Sequence, residues 1–502
     1  MNLIWKGLVV FIMIIGSNVK AEVGATLKVA IPIKQLQLDS QKIEDMYSMT
    51  VVNQIYAKLF RFTPDGQVRP DLVAKWTLSE NKTTYTFHLR KTQFSDGSLI
   101  TALHVANSLK RIFLLKAALS GDLSIIKGAK AFFKTKKLTD LKIHVIDSHT
   151  LEIETEKPTA LLIYLLAVPD LGVHKIEDLN ANFNTKGGGP YSGPYSVSSI
   201  TDDRIELQKW RKSDLDSANP PDRIHFNLMD KIAPERIASG EISDTSSFMT
   251  FDSAQSPLEG MPGWRPVPSE ASNERFIVMN PNKVPLEVRR WMLSQVNSSD
   301  FVTELGDKTI TPAFGFIPNC LPGHLKKSQI PFAPEPKLSK PLKLKITFGE
   351  NLPYPEKFKS YLNKVWSRPW LRLEFKPLPV AEYLNVMFKK KGEIVIGARG
   401  LDYPEGYSTV TYFRSDVDSN FFFVKDKEID RLIETASQEL DSKKRADIYE
   451  VIQEKVLKGA TVIPLAFGTW KKYYWSDRVK QVPAHPIGVH FVPLEMLSMA
   501  EK

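Results

Sequence analysis

Two periodicities alternate along this chain, and that alternation restricts its fold more than any other feature. Thr83 to Arg90 (TTYTFHLR) alternates polar and apolar residues strictly, with Tyr85, Phe87 and Leu89 on one face, as a half-buried strand does. Asp45 to Phe60 instead spaces Met46, Met49, Val52, Ile55, Tyr56 and Leu59 at three or four, one face of a helix. Strands are also expected at Ala25 to Ile33, Arg204 to Gln208, Arg223 to Leu228, Arg275 to Met279, Leu342 to Phe348, Leu371 to Phe375 and Glu393 to Ala398. Leu141 to Ile146 and Thr150 to Thr155 predict a hairpin across Asp147-Ser148-His149. Helices are expected from Thr101 through Ile112, from Leu286, and as an amphipathic pair over Glu428 to Leu440 and Ser442 to Leu457, with a cap at Asp441-Ser442. The prolines from Pro312 to Pro341 make Thr311 to Pro341 mostly loop. Strands and helices mixed in this way define an α/β or α+β class. At 502 residues the chain is long enough for two or three domains, each with its own core.

The N-terminus reads as a secretory signal over residues 1–21. Lys6 precedes the apolar run Leu8 to Ile15, Gly16 and Ser17 loosen the chain, and Val19-Lys20-Ala21 offers small residues at the −3 and −1 positions. The run is far short of the roughly 18–20 apolar residues that span a bilayer. An uncleaved anchor is the alternative. Removal of residues 1–21 takes Lys6 and Lys20 and lowers the net charge from +10 to +8. Export weakens a nucleic-acid reading of that charge, so no nucleic-acid partner is expected. Lys127 to Lys137 reads as a solvated helix face. The single cysteine, Cys320, excludes an intrachain disulfide and cysteine-rich zinc modules.

Catalytic signatures are missing. HExxH, CxxC and GxSxG do not occur, and Gly187-Gly188-Gly189 is followed by Pro-Tyr rather than Lys-Ser/Thr, so it is not a phosphate loop. None of the nine histidines forms a close ligand-spaced set. A serine–histidine–aspartate triad assembles from distant positions, so spacing neither nominates nor rejects one. No metal, cofactor or catalytic residue is expected.

Gln67 to Phe113 (QVRPDLVAKWTLSENKTTYTFHLRKTQFSDGSLITALHVANSLKRIF) carries the most specific pattern. It runs Pro70, Leu72, Ala74, Trp76; then Tyr85, Thr86, Phe87, Leu89, Arg90; then Asp96-Gly97; then Ser108, Leu109 and Arg111. This closely resembles the extracytoplasmic solute-binding proteins of the peptide and nickel ABC-transporter class (family 5), which include periplasmic oligopeptide-binding proteins. Thr150 to Leu166, Gly193-Pro194-Tyr195, Gly240 to Asp244, Arg275 to Leu293 and Asp430 to Pro464 extend the resemblance over nearly the whole mature chain. GGGPYS before the middle loop and a serine inserted in Gly-Glu-Ile-Asp depart from the family pattern.

The resemblance implies an α/β, periplasmic-binding-protein-like two-lobed fold with an additional α+β domain. Lobe I is expected from 22–44, 161–268 and 480–502, the additional domain from 45–160, and lobe II from 269–479. The implied function is capture of peptides between the lobes and delivery to permease subunits in the inner membrane, by a periplasmic monomer without enzymatic activity. Relatives also bind nickel chelates, haem, sugars or cell-wall peptides. A ligand-sensing interaction protein is a further alternative, and an exported hydrolase the remotest.

Peptide binders of the family pair a carboxylate with the ligand's α-ammonium and bond its main chain like an added strand. The resemblance places Asp402, in Leu401-Asp402-Tyr403 after the strand Glu393 to Ala398, at that carboxylate. A turn aspartate before Pro404 is the alternative. Arg399, beside Gly400, is nominated to meet a ligand carboxylate. Leu38 to Glu44 resembles the segment before the first helix, and nominates Glu44, Asp45 and Met46 as ligand contacts. The alternative there is a solvated helix start with Met46 in the core. Tyr191, Tyr195, Tyr403 and Trp470 are expected either in the cleft or in ordinary packing. The stretch between Arg399 and Asp402 is about two residues shorter than in oligopeptide binders and lacks the usual tryptophan, so the backbone-reading strand is expected to be shifted or blunted.

Overall fold

A computed structural model describes residues 24–179, 188–229, 236–237, 244–248, 258, 260–267, 273–308, 310–328, 330–417, 420–468, 472–482, 488 and 491–500. Residues 1–21, expected to be a secretory signal, Trp470 and most of Gly240 to Asp244 lie outside them.

Three sheets organise the chain. Thr26–Ile31 is interior to a seven-stranded sheet, parallel to Arg223–Leu228 on one side and to Thr245–Phe248 on the other. Arg204–Lys209 and Tyr195–Ile200 continue it as an antiparallel meander, and Lys472–Ser476 and Trp264–Val267 extend the opposite side. A six-stranded sheet runs in the order Ile310–Pro312, Val462–Gly468, Glu274–Met279, Ile394–Arg399, Leu342–Gly349, Leu371–Leu378. Val462–Gly468 is buried at every residue, so it shows no alternation and reads as a continuous apolar run. A four-stranded antiparallel sheet joins Val73–Leu78, Thr84–Leu89, Thr150–Glu154 and Ile143–Asp147. In Thr84–Leu89 the alternation is realised as expected, with Tyr85, Phe87 and Leu89 buried.

Each sheet has its own apolar core. Phe276, Trp291, Phe358, Trp366, Ile452 and Leu465 pack on the six-stranded sheet, with helices Leu286–Gln295, Pro355–Trp366 and Ser442–Gly459 supplying the cover. Helix Ala102–Leu115 lays Val105, Leu109, Ile112 and Phe113 on the four-stranded sheet. Leu27, Ile31, Leu207, Phe226 and Trp475 fill the core of the seven-stranded sheet.

Local chemistry sets the ends of the helices. Asp441 caps Ser442–Gly459 by accepting from the backbone N–H of Lys443 and Lys444 at 2.8 and 3.1 Å, as expected. The first helix, Met46–Ile55, ends earlier than the sequence predicts. Tyr56 is extended, and Phe60 pairs with Pro70 in a short antiparallel ribbon. The spacing of Tyr56 and Leu59 was therefore coincidental with helical period. Pro355–Trp366, a helix with no counterpart in the sequence reading, does bury Phe358, Tyr361, Leu362 and Trp366 at helical spacing. Pro353 and Pro355 at its start obscure that signal.

Packing also bears on the division into domains. Helix Met46–Ile55 puts Val51, Val52 and Ile55 into the core of the seven-stranded sheet, whereas Leu162, Leu165 and Leu166 lie in that of the four-stranded sheet. Lys472–Ser476 pairs within the seven-stranded sheet. On this packing we propose that lobe I takes in the first helix and 472–479, and that the additional domain reaches past 166.

Candidate ligand cleft

The loop after Ile394–Arg399 forms one wall of a cleft. That strand runs antiparallel to Glu274–Met279 with Arg399 opposite Glu274. Arg399 Nε donates to Glu274 Oε2 at 2.8 Å, and Nη1 donates to the carbonyl of Thr409 at 3.2 Å. The rings of Tyr412, Phe422 and Phe413 stand 4.9, 5.2 and 5.9 Å from the guanidinium carbon. Burial pushes the Glu274 carboxyl up to about 7, and the Arg399 charge pulls against that shift. Arg399 Nη2 and Glu274 Oε1 are buried without a hydrogen-bond partner among the described residues. Most of the Arg399 charge is thus committed within the protein.

Gly400 is exposed, and Leu401 packs against the cores of both the six-stranded and the four-stranded sheets. Tyr403 is buried in the core of the four-stranded sheet. These two anchors hold Asp402 between them, and its backbone N–H donates to Ser408 Oγ at 3.1 Å. The cleft has a volume of about 600 Å³. Asp402, Tyr407, Tyr412 and Arg414 line one side, and Asp122, Lys157 and Leu161 the other. Lys157 Nζ pairs with Glu434 Oε1 and ties the two walls together.

Acids and bases share this site: Asp122, Glu156, Asp402 and Glu434 line it beside Lys130, Lys157 and Arg414. Asp402 and Asp122 are open to water through the cleft mouth, yet protein crowds them on several sides. Their access for a ligand follows from the first fact. The direction of their pKa shifts follows from the second. Crowding raises Asp402, with Arg399 opposing. It pushes Asp122 up to about 6, aided by the charge of Asp402. Asp170 also rises to about 6, chiefly by burial and then by repulsion from Asp402 and Asp122. Among the described residues, no hydrogen bond or ion pair reaches the Asp402 carboxylate. A cation placed here would meet the Asp402 and Asp122 carboxylates. No group of three or more His, Cys, Asp or Glu among the described residues is arranged to hold a metal ion.

The other nominated segment is held elsewhere. Asp45 is the N-cap of Met46–Ile55: Oδ1 accepts from the N–H groups of Tyr47 and Ser48 at 2.9 and 2.8 Å, and Oδ2 accepts from Ser48 Oγ at 2.6 Å. Glu44 is exposed and Met46 half-buried, and none of the three lines the Asp402 cleft. Just before them, Asp39 and Arg111 form a buried pair, with Nη1 and Nη2 donating to Oδ1 and Oδ2 at 2.9 and 2.5 Å. Arg111 also donates to Gln41 Oε1 at 2.7 Å, and Gln41 Nε2 donates to the carbonyl of Ser108. The Ser108…Arg111 motif thus pins residues 39–41 onto the helix of the four-stranded sheet. Burial works against the Asp39 charge, but the Arg111 bond overcomes it and holds the carboxyl below its usual range. Tyr191 and Tyr195 are both buried, and the Tyr195 hydroxyl donates to the carbonyl of Pro221 at 2.8 Å.

The sequence reading missed Asp122, Asp170 and Glu274. Asp122 and Asp170 sit in short turns without periodic signal. Glu274 had a trace, as an acid opening an otherwise apolar strand, but its meaning depends on the strand register opposite Arg399.

Two sheets with helical cover and a third α+β unit, with the Asp402 cleft among them, make up a two-lobed α/β fold. Residues 67–421 match the bacterial extracellular solute-binding proteins, family 5, and the chain belongs to that family, the substrate-binding class of ABC importers. Over 468 residues it is 24% identical to a probable deoxycholate-binding periplasmic protein of Escherichia coli, covering 86% of this chain and 85% of the relative. A probable D,D-dipeptide-binding periplasmic protein of the same organism is 24% identical over 473 residues, 85% and 86% of the two chains. The open, unliganded murein tripeptide-binding protein of Escherichia coli superposes with a TM-score of 0.76 at 19% identity, over 95% of this chain and 98% of that one. No helix among the described residues is long and apolar enough to cross a membrane.

Proposed function

We propose that this chain is exported to the periplasm, loses residues 1–21, and carries peptides with a free amino end to an ABC permease, without catalysing a reaction on them. The observation that carries this reading is the Asp402 carboxylate, open to the cleft and flanked by Asp122 and Asp170. An isolated ammonium is expensive to take out of water, and a ready-made anionic site lowers that cost. The aromatic walls at Tyr407 and Tyr412 offer apolar surface to side chains without selecting one. The relatives named for dipeptide and murein tripeptide binding support peptide cargo. The test is thermal unfolding with a mixed tri- to pentapeptide pool against the same pool N-acetylated. Ligand at about 100 times its Kd adds roughly 2.7 kcal/mol of stability. The expected result is a shift with free amino ends only, abolished in Asp402→Asn. An equal shift with both pools would remove the ammonium clamp.

A second reading keeps the fold and changes the cargo. It rests on the relative named for deoxycholate. A bile acid is anionic and would pair with Lys130, Lys157 or Arg414 of the cleft rather than with Asp402, so Asp402→Asn would leave its binding unchanged or improve it.

A further inference from the structure

A second cavity lies where the seven-stranded sheet meets the four-stranded sheet and the C-terminal segment. Its volume is about 220 Å³, and it shares no lining residue with the Asp402 cleft. Lys58, Arg61 and Arg211 line its interior. Lys58 is only 4% exposed, and its ammonium donates to the neutral Oδ1 of Asn53 at 2.8 Å. Arg211 likewise spends its donors on neutral oxygens, with Nη1 to Thr92 Oγ1 at 2.6 Å and Nη2 to the carbonyl of Ser192 at 2.5 Å. Arg61 approaches Asp71 at 3.6 Å, and its Nε is buried without a hydrogen-bond partner among the described residues. Arg90, Lys91 and Lys212 add positive charge at the mouth, where Arg90 pairs with Asp214. The acids that face these six cations are Asp71, Asp214 and Glu495. Glu495 is 4% exposed and accepts from Ser213 Oγ at 3.1 Å; burial pushes its carboxyl up, and the same burial lowers the Lys58 ammonium and the Arg211 guanidinium.

We propose that this cavity binds a small oxyanion, a phosphate or a short carboxylate, between Lys58, Arg61 and Arg211. Three confined cations with few carboxylate partners repel one another, and an anion among them offsets that repulsion. Guanidinium groups present paired donors that suit planar or tetrahedral oxyanions. The cavity has room for several waters' worth of volume, at roughly 30 Å³ each, enough for an ion of this size. The bound anion bridges residues 53–62, 90–92, 211–214 and 491–495, and so joins the additional domain to lobe I and the C-terminal segment.

The experiment is equilibrium dialysis of the chain from residue 22 against radiolabelled inorganic phosphate, and separately succinate, at constant ionic strength. One saturable site is expected with at least one of them. Preference between the two identifies which oxyanion the site takes. Lys58→Met is expected to weaken binding by about tenfold or more, the loss of one charged hydrogen-bond partner. Glu495→Gln is expected to strengthen it, because an opposing acid is removed. Peptide binding at the Asp402 cleft stays unchanged in both variants, so failure of this site is distinguishable from failure of the peptide reading. Absence of saturable binding of both anions at millimolar concentration overturns the proposal. Binding that neither variant alters marks an adventitious ion only, and overturns it equally. Should Lys58→Met fail to fold, the sign of the Glu495→Gln effect decides.

Discussion

Replacing Arg111 with Met tests the buried pair that fixes residues 39–41 on the additional domain. The two side chains are 0% and 1% exposed. The substitution keeps much of the apolar stem but removes two bonds to Asp39 and one to Gln41 Oε1. Breaking a buried pair by deleting one partner costs about 3–5 kcal/mol, because the other charge stays buried. Asp39 keeps the Gln41 N–H at 3.2 Å and Lys42 Nζ at 3.8 Å. Those partners put the expected loss near the lower end, about 3 kcal/mol. Urea unfolding of the wild type, Arg111→Met, Asp39→Asn and the double variant gives a complete cycle. The double variant is expected to be more stable than Arg111→Met alone, since it no longer buries an unpaired carboxylate. The pH dependence has a definite sign. In the wild type the depressed Asp39 pKa contributes stability above the unfolded value of 3.8, and this is lost as pH falls through the folded value. In Arg111→Met the folded pKa rises instead, so the gap between the two proteins narrows as pH falls toward 4. A loss under about 1 kcal/mol, or no relief from Asp39→Asn, would refute the reasoning.

Three further outcomes follow from particular contacts. His174 is 2% exposed, meets Ser40 Oγ at 2.9 Å, and burial lowers its pKa to about 4 from 6.5. It is therefore neutral at pH 7, so its 3.8 Å approach to Asp39 is not an ion pair there. The unfolded chain takes up the proton first, and about 3 kcal/mol of stability is expected to disappear as pH falls from about 6.5 to 4, a slope that His174→Gln should remove. A methyl group at Gly397 would stand 2.3 Å from the ring of Phe276, its partner across the strands, so Gly397→Ala is expected to cost about 1–3 kcal/mol in urea unfolding. Peptide affinity measured by calorimetry is expected to fall as pH drops through about 6, where Asp122 and Asp170 take up protons and the anionic site weakens. Affinity that is flat from pH 7 to 5 would argue against a carboxylate clamp.

The sequence by itself determined the class of elements and the family. Thr84–Leu89 alternates because one face of its sheet is buried and the other is not. The helix pair Lys427–Gln438 and Ser442–Gly459 is announced by apolar spacing and by the cap at Asp441, local chemistry that needs no distant partner, and in the structure Asp426 caps the first of the pair in the same way. The ordered motif from Pro70 to Arg111 carried the resemblance, and two members now have physical roles: Ser108 and Arg111 seat the 39–41 segment. Asp402 was legible only through that resemblance. Tertiary structure decided the rest. The fate of Arg399 depended on a strand register that set it opposite Glu274. Asp45 caps the first helix and does not line the Asp402 cleft, a placement that depends on where that helix packs. Asp122 and Asp170 reach Asp402 from positions more than two hundred residues earlier, and nothing local to them marks that meeting. Periodicity and capping are properties of neighbours along the chain. A cleft's charge is a sum over residues that only folding brings within a few ångströms.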